Sequence, residues 1–132
     1  MVHKHKLLLV DDDKDIVEML HKKLVQEGYD VAVAFDGEEA LVKVKEDNPD
    51  VILLDLMLPK RNGFEVLKEI REKHKDKWRP VIIISAKSDL ESVKHSYNLE
   101  ADHYLTKPCD MENLLRGINM MISLIPIRIH KK

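Results

Sequence analysis

Several short apolar runs in this chain are each followed directly by a residue that can take part in chemistry. These residues are three carboxylates, one hydroxyl and one lysine, namely Asp11, Asp12, Asp55, Ser85 and Lys107. Carboxylate oxygens are ligands that Mg²⁺ prefers, while a hydroxyl and an ammonium group can bind the oxygens of a phosphoryl group. Brought to one place, this set can therefore hold a divalent cation and one phosphoryl group.

The apolar runs themselves predict the strands that bring these residues together. Val51–Leu54 and Val81–Ile84 are wholly apolar and rich in branched side chains, which indicates strands buried on both faces, as in a parallel sheet. In an open parallel sheet, binding residues collect at the carboxyl ends of the strands. We therefore expect the candidate residues to lie on one edge of a sheet.

Helical patterns alternate with these strands along the whole chain. The first repeats Ile16, Leu20 and Leu24 at helical spacing, and Gly28 follows where a helix commonly ends. A second strand is expected within Tyr29–Ala34. Four further helical patterns follow, at Ala40–Val44, Phe64–Ile70, Asp89–Leu99 and Met111–Ile125. Five strand–helix units in strict alternation predict an α/β fold, a doubly wound five-stranded parallel sheet in a three-layer sandwich.

Local sequence signals predict how some of these elements begin and end. Asp13 or Asp15 is expected to cap the first helix, because a carboxylate there accepts hydrogen bonds from free backbone N–H groups. Pro126 is expected to end the fifth helix. His3 and His5 are expected to belong to a disordered N-terminal tail rather than to a metal site.

Length and composition exclude several classes of protein. The 132 residues have room for one domain, which we place at residues 6–124, between an N-terminal tail at 1–5 and a C-terminal tail or linker at 125–132. The net charge of −2 argues against nucleic acid binding. No apolar run is long enough to cross a membrane, and residues 1–4 do not open a signal peptide. The single cysteine, Cys109, excludes a disulfide framework and fits a reducing cytoplasm.

The chain resembles the receiver domain of two-component response regulators over residues 6–124. The motifs that carry the resemblance follow one another in order: Val10–Asp12, Asp55 with Pro59 and Gly63, Ile84–Ala86, and Tyr104–Pro108. The resemblance implies a flavodoxin-like (βα)5 fold with the strand order 2-1-3-4-5. It also implies a cytoplasmic phosphoacceptor domain that catalyses only its own phosphorylation and dephosphorylation, and is not otherwise an enzyme.

The resemblance assigns roles to residues of the predicted phosphorylation site. Asp55 is implied to accept the phosphoryl group. Asp11 and Asp12 are implied to bind Mg²⁺ together with Asp55 and the backbone carbonyl of Met57, with Asp12 as the direct ligand of the pair. Lys107 is implied to pair with the phosphoryl oxygens.

A second group of residues is implied to control the switch and the lifetime of the phosphoryl group. Ser85 would bind the phosphoryl group, and Tyr104 would turn inward on activation. Met57 and Lys87 would flank the path of the water that hydrolyses the phosphoryl group. The resemblance also implies a cis peptide bond between Lys107 and Pro108.

Partners follow from the same resemblance. A histidine kinase or a phosphotransfer protein is expected to donate the phosphoryl group. Phosphorylation is expected to reshape the face made by the fourth helix, the fifth strand and the fifth helix, which is also a possible homodimer interface. The output stays open, since the protein is either a stand-alone receiver or a piece of a longer regulator or hybrid kinase.

One position departs from the family pattern. A glycine usually ends the fourth helix just before an Ala–Asp pair, but here Glu100 precedes Ala101–Asp102. Because a left-handed backbone conformation is strained for a residue other than glycine, we expect Asn98 to take that conformation instead.

Three other functions fit parts of the pattern. A phosphatase of the haloacid dehalogenase type requires a second Asp two residues after the nucleophile, where this chain has Met57. A flavodoxin-like flavin carrier requires a phosphate-binding loop rich in Ser, Thr and Gly after the first strand, where this chain has Asp11–Asp13. A degenerate receiver would act only as an interaction module, but Asp55, Ser85 and Lys107 are all present. The phosphoacceptor receiver is the favoured interpretation.

Overall fold

The computed structural model of the protein, which describes residues 4–129, contains one sheet of five parallel strands. The strands are Lys6–Val10 (β1), Asp30–Ala34 (β2), Val51–Leu54 (β3), Val81–Ser85 (β4) and His103–Thr106 (β5). The helices are Lys14–Gln26 (α1), Gly37–Asp47 (α2), Gly63–Lys68 (α3), Leu90–Asn98 (α4) and Met111–Ile129 (α5), and a π-helical segment, Glu69–Lys73, continues α3. The strand order is β2-β1-β3-β4-β5, so the predicted doubly wound fold is confirmed.

Both faces of the sheet are covered, as the apolar runs predict. The residues of β3 are at most 1% exposed, and they alternate between two core clusters. Ile52 and Leu54 pack with side chains of α2 and α3, whereas Val51 and Leu53 pack with side chains of α1 and α5. Full burial of such a side chain contributes about 1.5–3 kcal/mol. The residues that follow the strands are therefore attached to a tightly packed sheet that fixes their positions.

Side-chain caps start the helices close to the strand ends. We call the end of the sheet where the strands finish the carboxyl edge and the opposite end the amino edge. The Asp13 carboxylate accepts hydrogen bonds from the backbone N–H groups of Asp15 and Ile16, so it caps α1. Asp36 and Asp89 cap α2 and α4 in the same way. These bonds satisfy free helix N–H groups and anchor the loops of the carboxyl edge.

The prediction that Pro126 ends the fifth helix is wrong, because α5 continues to Ile129 with Pro126 inside it. A proline within a helix removes one backbone hydrogen bond and strains the preceding turn. Tertiary contacts hold the helix beyond that point. Leu124 packs against the core, and the Arg128 guanidinium forms an ion pair with Asp102.

The expectation that Asn98 takes the left-handed conformation is also wrong. Asn98 is the last residue of α4, and Glu100 has the positive φ of 69°. The backbone N–H of Ala101 bonds to the carbonyl of Ser96 at 2.9 Å, and the carbonyl of Glu100 accepts a bond of 3.1 Å from Arg71 Nε. These bonds place the reversal of the chain at position 100, whichever residue stands there.

The ends of the chain lie partly outside the described residues. Residues 1–3, which include His3, and residues 130–132 are not among the described residues. The tails predicted at 1–5 and 125–132 stay predictions, as does the domain boundary after residue 124, although α5 crosses that boundary. Within residues 4–129, no helix is both long enough and apolar enough to span a membrane.

Candidate phosphorylation site

Two buried carboxylates stand at the ends of neighbouring strands. Asp11 directly follows β1 and Asp55 directly follows β3, and their backbones continue the strand pairing by one residue. The Asp55 N–H bonds to the Val10 carbonyl at 3.0 Å, and the Asp11 N–H bonds to the Ala34 carbonyl at 3.1 Å. Asp11 is 3% exposed and Asp55 is 5% exposed. The sheet therefore fixes both carboxylates side by side at the carboxyl edge, as predicted.

The third carboxylate of the cluster is exposed and completes a possible cation site. Asp11, Asp12 and Asp55 each offer an oxygen, and the three oxygens lie within 4.8 Å of one another. Three carboxylates this close repel each other unless a cation neutralises them. Oxygen-only ligands with one open, exposed side suit Mg²⁺, which keeps several of its waters. The donor set of this chain therefore fits the ion that the resemblance implies.

Lys107 joins the two buried carboxylates. Its Nζ donates to Asp11 Oδ2 at 2.6 Å and to Asp55 Oδ2 at 2.8 Å. Burial of the ammonium group by itself favours the neutral lysine, but the hydrogen bonds to Asp11 and Asp55 outweigh it and raise the pKa of Lys107. Lys107 is therefore a cation at neutral pH, placed where it can bind a group on Asp55.

The predicted switch residues meet at the ends of β4 and β5. Ser85 is fully buried, and its Oγ accepts a bond of 3.2 Å from the Lys87 backbone N–H. The Tyr104 hydroxyl donates to the Lys87 carbonyl at 2.5 Å, and burial raises the pKa of this phenol. Tyr104 is thus bonded to the loop that follows Ser85. A movement of this loop has to move the tyrosine or break its hydrogen bond.

The backbone around Lys107 ties β5 to the same loop. The Lys107 N–H donates to the Ser85 carbonyl at 2.8 Å, and the peptide bond between Lys107 and Pro108 is cis, as predicted. Ser85 and Lys107 are therefore held next to each other by main-chain contacts, independently of their side chains.

Met57 and Lys87 border an open cleft beside the carboxylates. The cleft has a volume of about 470 Å³, and Asp12 lines it as well. The Met57 side chain is 55% exposed, while its backbone N–H donates to Asp55 Oδ1 at 3.0 Å. That bond holds the Asp55 carboxylate in place. The role of the Met57 carbonyl as a metal ligand stays a prediction, as do the other residue roles that the resemblance implies.

Sequence reasoning missed two features of the site. It placed Asp11 in the metal pair without its ion pair to Lys107, which is 96 positions away in the chain. It also identified Ile16 and Leu20 at helical spacing in the first helix but predicted no groove beside them. Both line an apolar groove of about 430 Å³ beside Lys107, together with Met19 and Cys109. The signal for the groove was present in Met19, a large apolar residue beside the core stripe, which is 49% exposed.

Comparison with known proteins identifies the family. Residues 7–119 match the response regulator receiver domain. The receiver domain of the Francisella response regulator 1452 is 37% identical, with a TM-score of 0.84 over 91% of this chain and 98% of that chain. Chemotaxis protein CheY4 of Vibrio cholerae is 32% identical, with a TM-score of 0.84 over 90% of this chain and 99% of that chain. The CheX-CheY-BeF3-Mg²⁺ complex from Borrelia burgdorferi matches at 33% identity, with a TM-score of 0.80 over 88% of this chain and 87% of that chain.

This chain therefore belongs to the response regulator receiver domain family. The function of that family is to accept a phosphoryl group in two-component signalling, and its members bind Mg²⁺ at an acidic pocket. This chain has an aspartate cluster whose oxygens lie close enough together to hold a metal ion. Membership decides against the phosphatase and flavin-carrier alternatives.

Proposed function

We propose that Asp55 is the phosphoacceptor and that Asp11, Asp12, Ser85 and Lys107 serve its chemistry. The observation that carries this proposal is the placement of Lys107 Nζ, 2.8 Å from Asp55 Oδ2, within a cluster of three carboxylates. Asp55 is the member of the cluster at the end of the central strand, where the other groups surround it. Because Asp55 also accepts a bond from the Met57 N–H, its carboxylate is oriented before any donor arrives.

The transfer step follows from this arrangement. An Asp55 carboxylate oxygen attacks the phosphorus of a phosphohistidine; the new O–P bond forms as the N–P bond breaks, and the imidazole nitrogen leaves with the electron pair and takes a proton from solvent. Lys107 moves from Asp55 Oδ2 to the phosphoryl oxygens, and the Ser85 hydroxyl donates to another of them. Asp11, Asp12 and Asp55 would hold Mg²⁺, which neutralises charge on the transferred group. The presence of BeF3 and Mg²⁺ in the Borrelia complex supports this assignment.

The experiment compares Asp55→Asn with Asp30→Asn, which changes an exposed aspartate at the amino edge of the sheet. Each protein is incubated with acetyl phosphate and Mg²⁺, and the base-labile phosphoryl group is counted by mass spectrometry. We expect one phosphoryl group on the wild type and on Asp30→Asn, and none on Asp55→Asn. Labelling of Asp55→Asn at the wild-type rate would refute the assignment.

We also propose that phosphorylation acts on the face formed by α4, β5 and α5. Ser85 at the end of β4 and Tyr104 in β5 both bond to Lys87, which lies just before α4. A phosphoryl group that binds the Ser85 hydroxyl shifts the conformational equilibrium of this loop and so the position of α4.

Fluoroberyllate should change amide exchange in α4 more than in α2, and Ser85→Ala should lose that difference. A uniform change across both helices would contradict this switch. A homodimer through the same face remains part of the proposal.

The apolar groove beside Lys107 supports a docking place for the phosphodonor, a histidine kinase or a phosphotransfer protein in the cytoplasm. A donor histidine has to reach Asp55, and the groove is lined by Lys107, whose Nζ bonds to Asp55. Met19→Glu should slow transfer from such a protein at least tenfold but leave labelling by acetyl phosphate unchanged. Equal rates with the protein donor would exclude this docking place. In this proposal the domain catalyses no reaction other than its own phosphorylation and dephosphorylation.

A further inference from the structure

A second cleft lies at the amino edge of the sheet, away from the phosphorylation site. Its volume is about 530 Å³, which falls within the range of about 300–1,000 Å³ for pockets that hold small molecules. Its walls come from three places in the chain: the loop before β4, the segment between α4 and β5, and the last turn of α5. None of the residues assigned to phosphorylation lines it.

The cleft has an excess of positive charge. Its lining contains four cationic side chains and two carboxylates. Arg71 forms the floor, since it is 2% exposed and bonds to the carbonyls of Glu100 and Asp76 and to Asp102 Oδ2 at 3.1, 2.7 and 2.9 Å. Lys77 pairs with the side chain of Glu100. Arg71 and Lys77 are therefore already engaged, and the remaining charge belongs to other residues.

Two cationic groups in the cleft keep binding capacity. Lys75 is exposed and has no hydrogen bond or ion pair within residues 4–129. Arg128 pairs with Asp102 through Nη2, and its side chain is 27% exposed. A guanidinium has five N–H donors, so most of those of Arg128 are open to a ligand. An ammonium and a guanidinium at one opening are suited to phosphate oxygens.

Two residues of the cleft have a left-handed backbone conformation. Lys75 and Glu100 have positive φ angles of 53° and 69°, and both line the cleft. Glycine would relieve the strain at both positions. Both strained positions carry charged side chains, and Glu100 neutralises Lys77 while Lys75 stays unpaired.

An aromatic ring completes the lining. Trp78 is the only tryptophan of the chain and is half-buried in the cleft wall. The Arg79 guanidinium lies 4.5 Å from the ring centroid, and Arg79 is itself 4% exposed and bonded to the Pro49 carbonyl at 2.5 Å. The ring is therefore held against a fixed cation. A rigid indole beside open cations can stack on a nucleobase whose phosphates reach those cations.

We propose that this cleft binds a nucleotide with at least two negative charges, its base against Trp78 and its phosphates against Lys75 and Arg128. A nucleoside diphosphate matches both the two-charge excess of the lining and the volume of the cleft. The site is separate from Asp55, so binding needs neither phosphorylation nor Mg²⁺. The same cleft contains Asp102, which directly precedes β5, the strand that Lys107 follows.

The experiment titrates the full chain with ADP in EDTA at low salt and follows Trp78 fluorescence and binding heat. EDTA removes divalent ions, so the nucleotide cannot be held through a metal at the carboxylate cluster. We expect saturable binding, at least tenfold weakened by Lys75→Gly. That variant removes the charge and relaxes the backbone, so it should fold at least as well as the wild type. The matched control is Lys60→Gly, which changes a lysine with a φ of 68° far from the cleft and should bind ADP as the wild type does.

Two further ligands distinguish the contribution of the base to binding from that of the phosphates. Adenosine lacks the charges and pyrophosphate lacks the ring, so each should bind at least tenfold more weakly than ADP. Raising the salt concentration should weaken ADP binding. The proposal is overturned if ADP up to millimolar concentration gives no saturable signal, if Lys75→Gly binds like the wild type, if Lys60→Gly weakens binding equally, or if pyrophosphate binds as tightly as ADP.

Discussion

At the carboxyl edge of the sheet two of three clustered carboxylates share one lysine, whereas at the amino edge the buried cations are arginines whose three nitrogens are each hydrogen-bonded. Lys107 bonds to Asp11 and Asp55, and the exposed Asp12 has no ion pair within residues 4–129. Arg71 makes three hydrogen bonds to oxygen atoms, and Arg79 is bonded to Pro49, Asn48 and Asp76. Both edges bury charge, but the buried arginines of the amino edge are paired with carboxylates, whereas the carboxyl edge has more carboxylates than cations.

The difference shows how one fold separates buried charges that respond to a cation from buried charges that hold the structure together. Unbalanced carboxylates repel each other and weaken the folded state until a cation binds, which makes them responsive to ligands. Arg71 and Arg79 are less responsive, because each of their three guanidinium nitrogens already donates to an oxygen atom. They join the segment before β4 to α2, α4 and β5 instead. Substitutions at the two edges should therefore have different kinds of consequence.

The largest expected effect is on stability at the amino edge. Arg71→Ala should lower the free energy of unfolding by about 3–5 kcal/mol, because it removes a buried guanidinium that bonds to Asp76, Glu100 and Asp102. The control is Arg116→Ala, which breaks an exposed ion pair with Glu112 and should cost less than about 1 kcal/mol. Urea unfolding measures both. Equal losses would mean that the amino edge has no special structural role.

The next effect concerns the cation at the carboxyl edge. Mg²⁺ at one hundred times its dissociation constant should stabilise the wild type by about 2.7 kcal/mol. Asp12→Asn should lose most of this gain, yet be at least as stable as the wild type in EDTA, since it relieves carboxylate repulsion. Asp15→Asn, in the first turn of α1, should keep the full Mg²⁺ response. Thermal unfolding with and without Mg²⁺ tests the pair, and an unchanged Mg²⁺ response in Asp12→Asn would contradict the assignment.

A smaller effect should appear in the lifetime of the phosphoryl group. Hydrolysis requires a water in line with the bond that breaks. Met57 offers that water no hydrogen bond and can cover the site with a flexible apolar chain. Met57→Asn should therefore speed the decay of phosphorylated Asp55 about tenfold, equivalent to about 1.4 kcal/mol in the barrier.

The control for this lifetime is Met120→Asn, because Met120 on α5 is 56% exposed and Met57 is 55% exposed. Decay after removal of the donor is followed by intact mass. Slower decay in Met57→Asn than in the wild type would reverse the interpretation of position 57.

The smallest effect is the pH dependence of the lysine bridge. The folded-state pKa of Lys107 is raised, so its contribution to stability is complete below its ordinary value of 10.5 and is lost as the pH rises through the folded-state pKa. The difference in unfolding free energy between wild type and Lys107→Met should therefore be constant near neutral pH and shrink above pH 10.5. The tyrosines that titrate in this range are common to both proteins. A difference that stays constant to the alkaline limit would show that the bridge adds no stability.

Much of the carboxyl edge can be predicted from the chain alone. Val51–Leu54 is apolar throughout, so it has to be buried on both faces, and a parallel sheet is the structure that allows this. Parallel strands end on the same edge, which brings Asp11, Asp55 and Ser85 together without any knowledge of their contacts. The Asp13 cap was predictable for a similar reason, since it depends on residues within one turn of the helix.

The amino edge and the ion pairs depended on the tertiary structure. Pro126 and Glu100 both oppose their local backbone conformation, and distant partners decide the outcome, Asp102 through Arg128 in one case and Arg71 in the other. Lys107 likewise pairs with Asp11, which lies 96 positions away in the chain. The sequence by itself determined the strands, their common edge and the residue types on that edge, because burial and periodicity are local properties. Only the tertiary structure decided which charges pair, because that depends on distances between segments that no local pattern contains.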